Sequence, residues 1–224
     1  MVAVPYRLLR NILIAAAVLY CSLLLELAAG FPLDVHRSFL SDLAAQDQPT
    51  SPYARGMDLG TGVLLLIVAV LGRHAARMHW DLAGLLICTT IFAVGTMSDA
   101  LAPIDCAASL SAACAAAENS GQAGATLLLH EVTSGVAGFG SFAMAFFVVH
   151  VLSRSGWGGL WGRLVAVLSV GVAASEIWLG IVTGINALHG DVAHGPGILQ
   201  RVSVLLICLM LGTLMPGLRH ALSQ

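Results

Sequence analysis

The chain has 224 residues, 58% of them hydrophobic and only 10% charged, with a mean hydropathy of +0.90 and a formal net charge of −2. A soluble domain of this length carries about 25% charged residues, so a water-soluble globule is excluded. The slightly acidic balance and the lack of any basic patch argue against a nucleic-acid partner.

Apolar runs recur at about the 20-residue length that a helix needs to cross a hydrocarbon core of ~30 Å. They are too long and too continuous for membrane strands. The pattern predicts an all-α polytopic membrane protein, one integral membrane domain over 1–224. Its six helices fall at about 11–31, 57–73, 82–103, 124–152, 162–187 and 197–217. All ten basic residues are Arg. With the abundant Ala, Gly and Leu, that composition suggests a GC-rich bacterial genome and hence a bacterial inner membrane.

The first run follows Arg7 and Arg10 and ends in small residues, so it reads either as a signal peptide or as a retained helix. Glu26 and the length of the run favour retention. In a six-pass arrangement Arg7, Arg10, Arg73, Arg77, Arg154, Arg163 and Arg219 share one side, against Arg37, Arg55 and Arg201 on the other. The arginine bias predicts that both termini are cytoplasmic and that the loops 32–56, 104–123 and 188–196 face outward.

At 1.5 Å of rise per residue, Glu26 lies ~22 Å from the inner face, Asp99 ~27 Å up the third helix and Glu176 ~20 Å up the fifth. Asp58 opens the second helix at its outer end. His130 and Glu131 begin the descending fourth, and Arg201 begins the descending sixth. Every helix therefore carries an ionisable residue in its outer half. Such residues default to a functional reading in which partners share protons and hydrogen bonds, and snorkelling to water is the bland alternative.

Cys21, Cys88 and Cys208 lie inside helices as small hydrophobes. Cys106 and Cys114 share the outward loop "DCAASLSAAC", where an oxidising compartment lets them pair. His130 reads as a general base, a core histidine or a metal ligand, the last with Asp99, Glu176 and Glu26 as the only helix partners. No tight His/Cys spacing announces a metal, and no other cofactor is implied. In "HGDVAHGPG", His189, Asp191 and His194 resemble a ligand set but suit a solvated Gly-rich loop. His36, His74, His79 and His220 fall at interfaces or in cytoplasmic turns. Gly135, Gly138, Gly140 and Ser141, with Gly180 and Gly184, read as positions of close helix approach. Trp157 and Trp161 suit a cytoplasmic aromatic belt.

Five short stretches carry a resemblance: "RSFLSDLA", "PYARGMDLGTGVLLL", "LAPIDC", "LLLHEVTSG" and "GILQRVSVL". In this order they resemble the domain-of-unknown-function 998 family of six-pass membrane proteins, itself distantly similar to Frag1-type proteins linked to lipid and glycolipid handling. The resemblance implies Ser41, Asp105, His130 and Arg201 as family-type positions at the outer face. It assigns no reaction, and the insert between Cys106 and Gly121 departs from the family's compact loop.

The expectation is an outer-leaflet polar site that binds or modifies an amphipathic, lipid-like ligand among membrane lipids. His130, Asp105 and Ser41 are the candidate catalytic groups. Arg201, Glu176, Asp99, Glu26 and Asp58 are the candidate ligand-binding groups. A non-catalytic subunit serving a membrane-protein partner and a proton-coupled transporter are the two alternatives. No nucleophile-elbow or His-Glu-x-x-His motif is present.

Overall fold

The computed structural model describes residues 5–76, 80–191 and 195–223; Arg77, His79 and His194 lie outside them. Among the described residues every regular element is helical. Helices α1 (Tyr6–Tyr20) and α2 (Ser22–Ala28) meet at Cys21 with a bend of 46°. They are followed by α3 (Ser51–Ala76), α4 (Trp80–Leu101), the short α5 (Ala112–Asn119), α6 (Gly124–Arg154), α7 (Gly159–Leu188) and α8 (Gly197–Leu218). Two 3-10 turns, Leu40–Ala44 and Ala221–Ser223, complete the chain. Five helices (α3, α4, α6, α7 and α8) are long and apolar enough to cross a membrane, and α1 with α2 supplies a sixth if the bent pair is one span. The protein is membrane-embedded.

Helices α1, α3, α4, α6, α7 and α8 pack as a closed ring in chain order, with α8 returning to α1. Leu9 near the start of the chain and Leu222 near its end line one apolar cavity of about 60 Å³, so both ends of the chain lie at one end of the ring. The opposite, disulfide end carries the loops 29–50 and 102–123, the second closed by the Cys106–Cys114 bond. Between the ends, Leu13, Leu65, Phe92, Met144, Ile207 and Leu211 fill the terminal half of the ring and are essentially inaccessible.

Local chemistry explains most departures from the expected helix limits. Helix α3 starts six residues early because Pro52 suits a first helical turn and the Tyr53 and Ala54 amides reach the Thr50 carbonyl. Asp58 therefore lies two turns inside α3 instead of opening it. Helix α4 stops at Leu101, just short of the Ala102-Pro103 pair, since a residue before proline is pushed out of helical geometry. Helix α5, absent from the expected set, is capped by Ser111, whose hydroxyl accepts the Cys114 amide at 3.4 Å. Gly30 and Phe31 both take positive φ and reverse the chain after α2.

Helices α4 and α6 touch backbone to backbone. A Cβ on Gly95 would lie 2.5 Å from the Ala137 nitrogen, and one on Gly140 would lie 2.4 Å from the Phe92 nitrogen. Gly135, Gly180 and Gly184 differ from the close-packing expectation: nothing lies within 4 Å of the space a Cβ would occupy. Toward the disulfide end α7 buries no residue beyond Ser175.

Candidate intramembrane polar site

Sequence-distant polar residues meet at the disulfide end in three groups. The first is a lock. The 46° bend at Cys21 turns α2 so that Glu26 is its one buried residue. There its carboxylate takes the Arg201 guanidinium in a two-pronged pair: Arg201 Nε donates to Oε2 at 2.9 Å, and Nη2 donates to Oε1. Arg201 Nη1 donates to the carbonyls of Ser38 and Gly197 at 3.0 Å and of Val35 at 3.2 Å. A Cβ on Gly197 would sit 2.4 Å from the Val35 oxygen, so only glycine lets α8 start against this loop. The pairing satisfies two charges that would otherwise be costly in a dry interior.

The second group joins α4 to α6. His130 is buried, and its Nδ1 lies 3.1 Å from Asp99 Oδ1 and 3.2 Å from the Ala102 carbonyl, so one N–H can be shared between them. The hydroxyls of Thr133 and Ser134 donate to the same Asp99 oxygen at 2.7 and 2.8 Å. Asp99 Oδ2 has no hydrogen-bond partner among the described residues. Thr133 and Ser134 stand three and four positions past His130, the helical spacing that puts them on its side of α6. That spacing was readable in the sequence and was missed.

The third group spans α1, α3, α7 and α8. Glu176 Oε1 accepts the Ser203 hydroxyl at 2.5 Å, and the Ser175 hydroxyl donates to Ser203 Oγ at 3.1 Å. Glu176 Oε2 is left facing Gly138, 3.0 Å from where a Cβ would be. Tyr20, which the sequence reading also missed, lies within electrostatic reach of Glu176, Asp58 and Asp99, and Asp58 within reach of Asp99. Neither Tyr20 nor Asp58 has a hydrogen-bond partner among the described residues, and both remain partly accessible deep inside the ring.

On α6, Glu131, Ser134, Gly135 and Gly138 follow the spacing of a single stripe. On α7, Glu176, Gly180, Thr183 and Ala187 do the same. Beyond Ser175 no residue of α7 is buried. On its other flank α7 leaves an open groove of about 350 Å³ against α8, lined by Trp178, Val182, Ile198, Val202 and, from the loop, His36.

A cap of loops closes the disulfide end. The Gln46 amide reaches the Ile104 carbonyl at 2.9 Å, and Asp47 Oδ1 accepts the Ala107 amide at 3.1 Å. Asp105 is exposed and ties Gln46 (3.1 Å) to Thr126 (2.9 Å) at the start of α6. Ser41 is half-buried in the 3-10 turn and shares no hydrogen bond with His130. Its neighbour Asp42 is the buried member, accepting the Ser109 hydroxyl. Burial pushes the Asp42 carboxyl up to about 6, against the lowering effect of Ser109, His130 and Arg201. Glu118 on α5 is pushed up to about 7 by partial burial and by the charges of Asp42 and Glu131. Thus Asp99 meets His130, Asp58 lies within electrostatic reach of Asp99, and Glu176 is held by Ser203, whereas Arg201 and Glu26 pair with each other and Asp105 and Ser41 belong to the cap. Among the described residues no three His, Cys, Asp or Glu side chains converge as a metal site.

No curated protein and no solved structure matches this chain. The family described as "Protein of unknown function (DUF998)" matches residues 13–215, from within α1 to near the end of α8. The chain belongs to that family.

Proposed function

We infer that this protein binds an amphipathic, lipid-like ligand that enters sideways between α6 and α7, its polar head beside Glu176 and Ser134 and its chain along α7. The carrying observation is that polar groups and small residues share the facing stripes of α6 and α7: no protein atom lies within 4 Å of a Cβ on Gly135, Gly180 or Gly184, and the partly exposed Glu176 turns Oε2 toward Gly138. Small residues on facing helices ordinarily draw backbones together. Here the protein leaves the space beside Gly135, Gly180 and Gly184 unfilled, and we read that space as a slot. The apolar filling of the terminal half of the ring favours binding over transport, because it offers a polar solute no stepping stones. In the orientation expected from the arginines, the slot opens to the outer leaflet of the cell membrane.

Headgroup recognition falls to Glu176, whose Oε2 is free of hydrogen bonds among the described residues. Arg201 is already engaged by Glu26 and three carbonyls, so it serves as a structural tie. A catalytic role for His130 would act through Asp99; Ser41 and Asp105 would need the cap to rearrange to reach it.

The test uses nanodiscs containing a lipid with a photoactivatable group near its head. Crosslinks are expected to concentrate on 131–138 and 176–187, and Gly180→Trp, which fills the slot, should deplete them at least several-fold. Labelling spread evenly around the ring and indifferent to Gly180→Trp would overturn the reading. The same open stripes also suit a transmembrane helix of a partner protein. A protein adduct at these positions in native membranes, in place of a lipid adduct, would establish that second reading.

A further inference from the structure

We propose that Cys21 and Cys208 form a redox-responsive thiol pair, oxidised to a disulfide by a lipid-soluble quinone of the membrane. Both are free thiols, far apart in sequence. Helix α1 packs against α8, and Leu9 and Leu222 put the start of one and the end of the other at the same end of the ring, so the two run antiparallel. Contact fixes their register: a Cβ on Gly212 would lie 3.9 Å from the Cβ of Ala17. Cys21 stands four residues past Ala17, and Cys208 stands four residues before Gly212. Each is about one helical turn from that contact, toward the disulfide end and on the same side of its segment. Farther along, the Glu26–Arg201 pair holds the two segments together again, with Arg201 Nε 2.9 Å from Glu26 Oε2. Between these two contacts the thiols meet, and they are hydrogen-bonded to each other.

A disulfide bridges Cβ atoms about 3.5–4.5 Å apart, the range into which the neighbouring Ala17–Gly212 approach falls. Cys21 packs against the apolar core that contains Cys208 and keeps some accessible surface, whereas Cys208 is buried. Apolar surroundings keep a thiol protonated, and exchange with a disulfide needs the thiolate. Water-borne disulfides are therefore poor oxidants of this pair. A quinone dissolves in hydrocarbon and accepts protons together with electrons. In the step both S–H bonds break and one S–S bond forms. The two electrons and two protons pass to the quinone, which leaves as the quinol. Cys21 is also the residue at which α1 gives way to α2. The bond ties that break directly to α8, beside the Glu26–Arg201 lock.

The experiment treats the intact protein in nanodiscs with decylubiquinone, denatures it without reductant and counts alkylated cysteines by mass. Cys88, buried in α4, is the internal control. Before oxidation Cys21, Cys88 and Cys208 should all alkylate. Afterwards Cys88 alone should, with a linked Cys21–Cys208 peptide in the digest and one quinol formed per disulfide. Cys21→Ser should leave Cys208 open to alkylation throughout and yield no quinol. Closure of the pair by copper phenanthroline but not by the quinone supports the pairing and overturns the quinone as acceptor. Alkylation of all three cysteines after both oxidants overturns the proposal. A disulfide that takes in Cys88, or one that joins two chains, overturns it as well.

Discussion

Arg201 and Glu26 stand 175 positions apart and form the most completely enclosed ion pair described, with Glu26 wholly inaccessible. Through the Val35 and Ser38 carbonyls the same guanidinium fastens the loop after α2 to α8. Removing one partner strands the other charge. Glu26→Gln or Arg201→Met should each destabilise the protein by about 3–5 kcal/mol, while the double variant recovers part of that loss. Thermal unfolding in detergent would read it, and single variants that melt like the wild type would show that the pair is not the lock described.

His130 and Glu131 are adjacent but differ in consequence. His130 is buried on Asp99 and Ala102, and Glu131 is exposed on the slot stripe. His130→Ala removes one donor from a buried network and should cost about 1–3 kcal/mol. Glu131→Gln should stay within about 0.5 kcal/mol. Similar melting temperatures for both would mean that the His130 contacts contribute nothing.

Glycines separate into two classes. Gly95→Ala and Gly140→Ala place a methyl against backbone on the facing helix, which cannot move aside cheaply, and should cost about 1–3 kcal/mol or more. Gly135→Ala and Gly180→Ala meet open space and should be neutral or slightly stabilising. Unfolding of all four in one detergent tests the contrast. A destabilised Gly180→Ala would mean that the slot is closed.

Cys106 and Cys114 should resist thiol labelling in the unreduced, denatured protein. Replacing both with Ser should lower stability by about 2–3 kcal/mol, the value for a loop this short. Ready labelling of either cysteine without reductant would remove the bond.

Asp42 makes the cap pH-dependent. Its folded value of about 6 exceeds the ordinary carboxylate value of 3.8, so the folded state holds the proton more tightly than the unfolded chain. The resulting stability is full below 3.8 and is lost as pH rises through about 6. Asp42→Asn keeps an acceptor for Ser109 and cannot ionise. It should therefore melt higher than wild type at about pH 7.5, by up to the order of 2–3 kcal/mol, and match it at about pH 3.5. An Asn variant less stable than wild type at about pH 7.5 yet matching it at about pH 3.5 would show that the carboxylate is needed charged.

By itself the sequence determined the helical, membrane-embedded class and nearly all of the helix positions, because hydrophobic length and proline and glycine punctuation act locally. It also marked Cys106 with Cys114, and the ionisable residues of the helices that gather at one end of the ring. Which of those residues belong together was decided only by the tertiary structure. Arg201 and Glu176 looked equivalent as intramembrane charges. The bend at Cys21 delivers Glu26 to Arg201, while Glu176 is left with Ser203 and a free oxygen. Gly140 and Gly180 looked equivalent as packing glycines. One lies against Phe92 of α4, and no protein atom lies within 4 Å of a Cβ on the other. Helical periodicity sets which face a residue occupies, but pairing between faces depends on the angles at which distant helices meet, and those angles arise only when the whole ring closes.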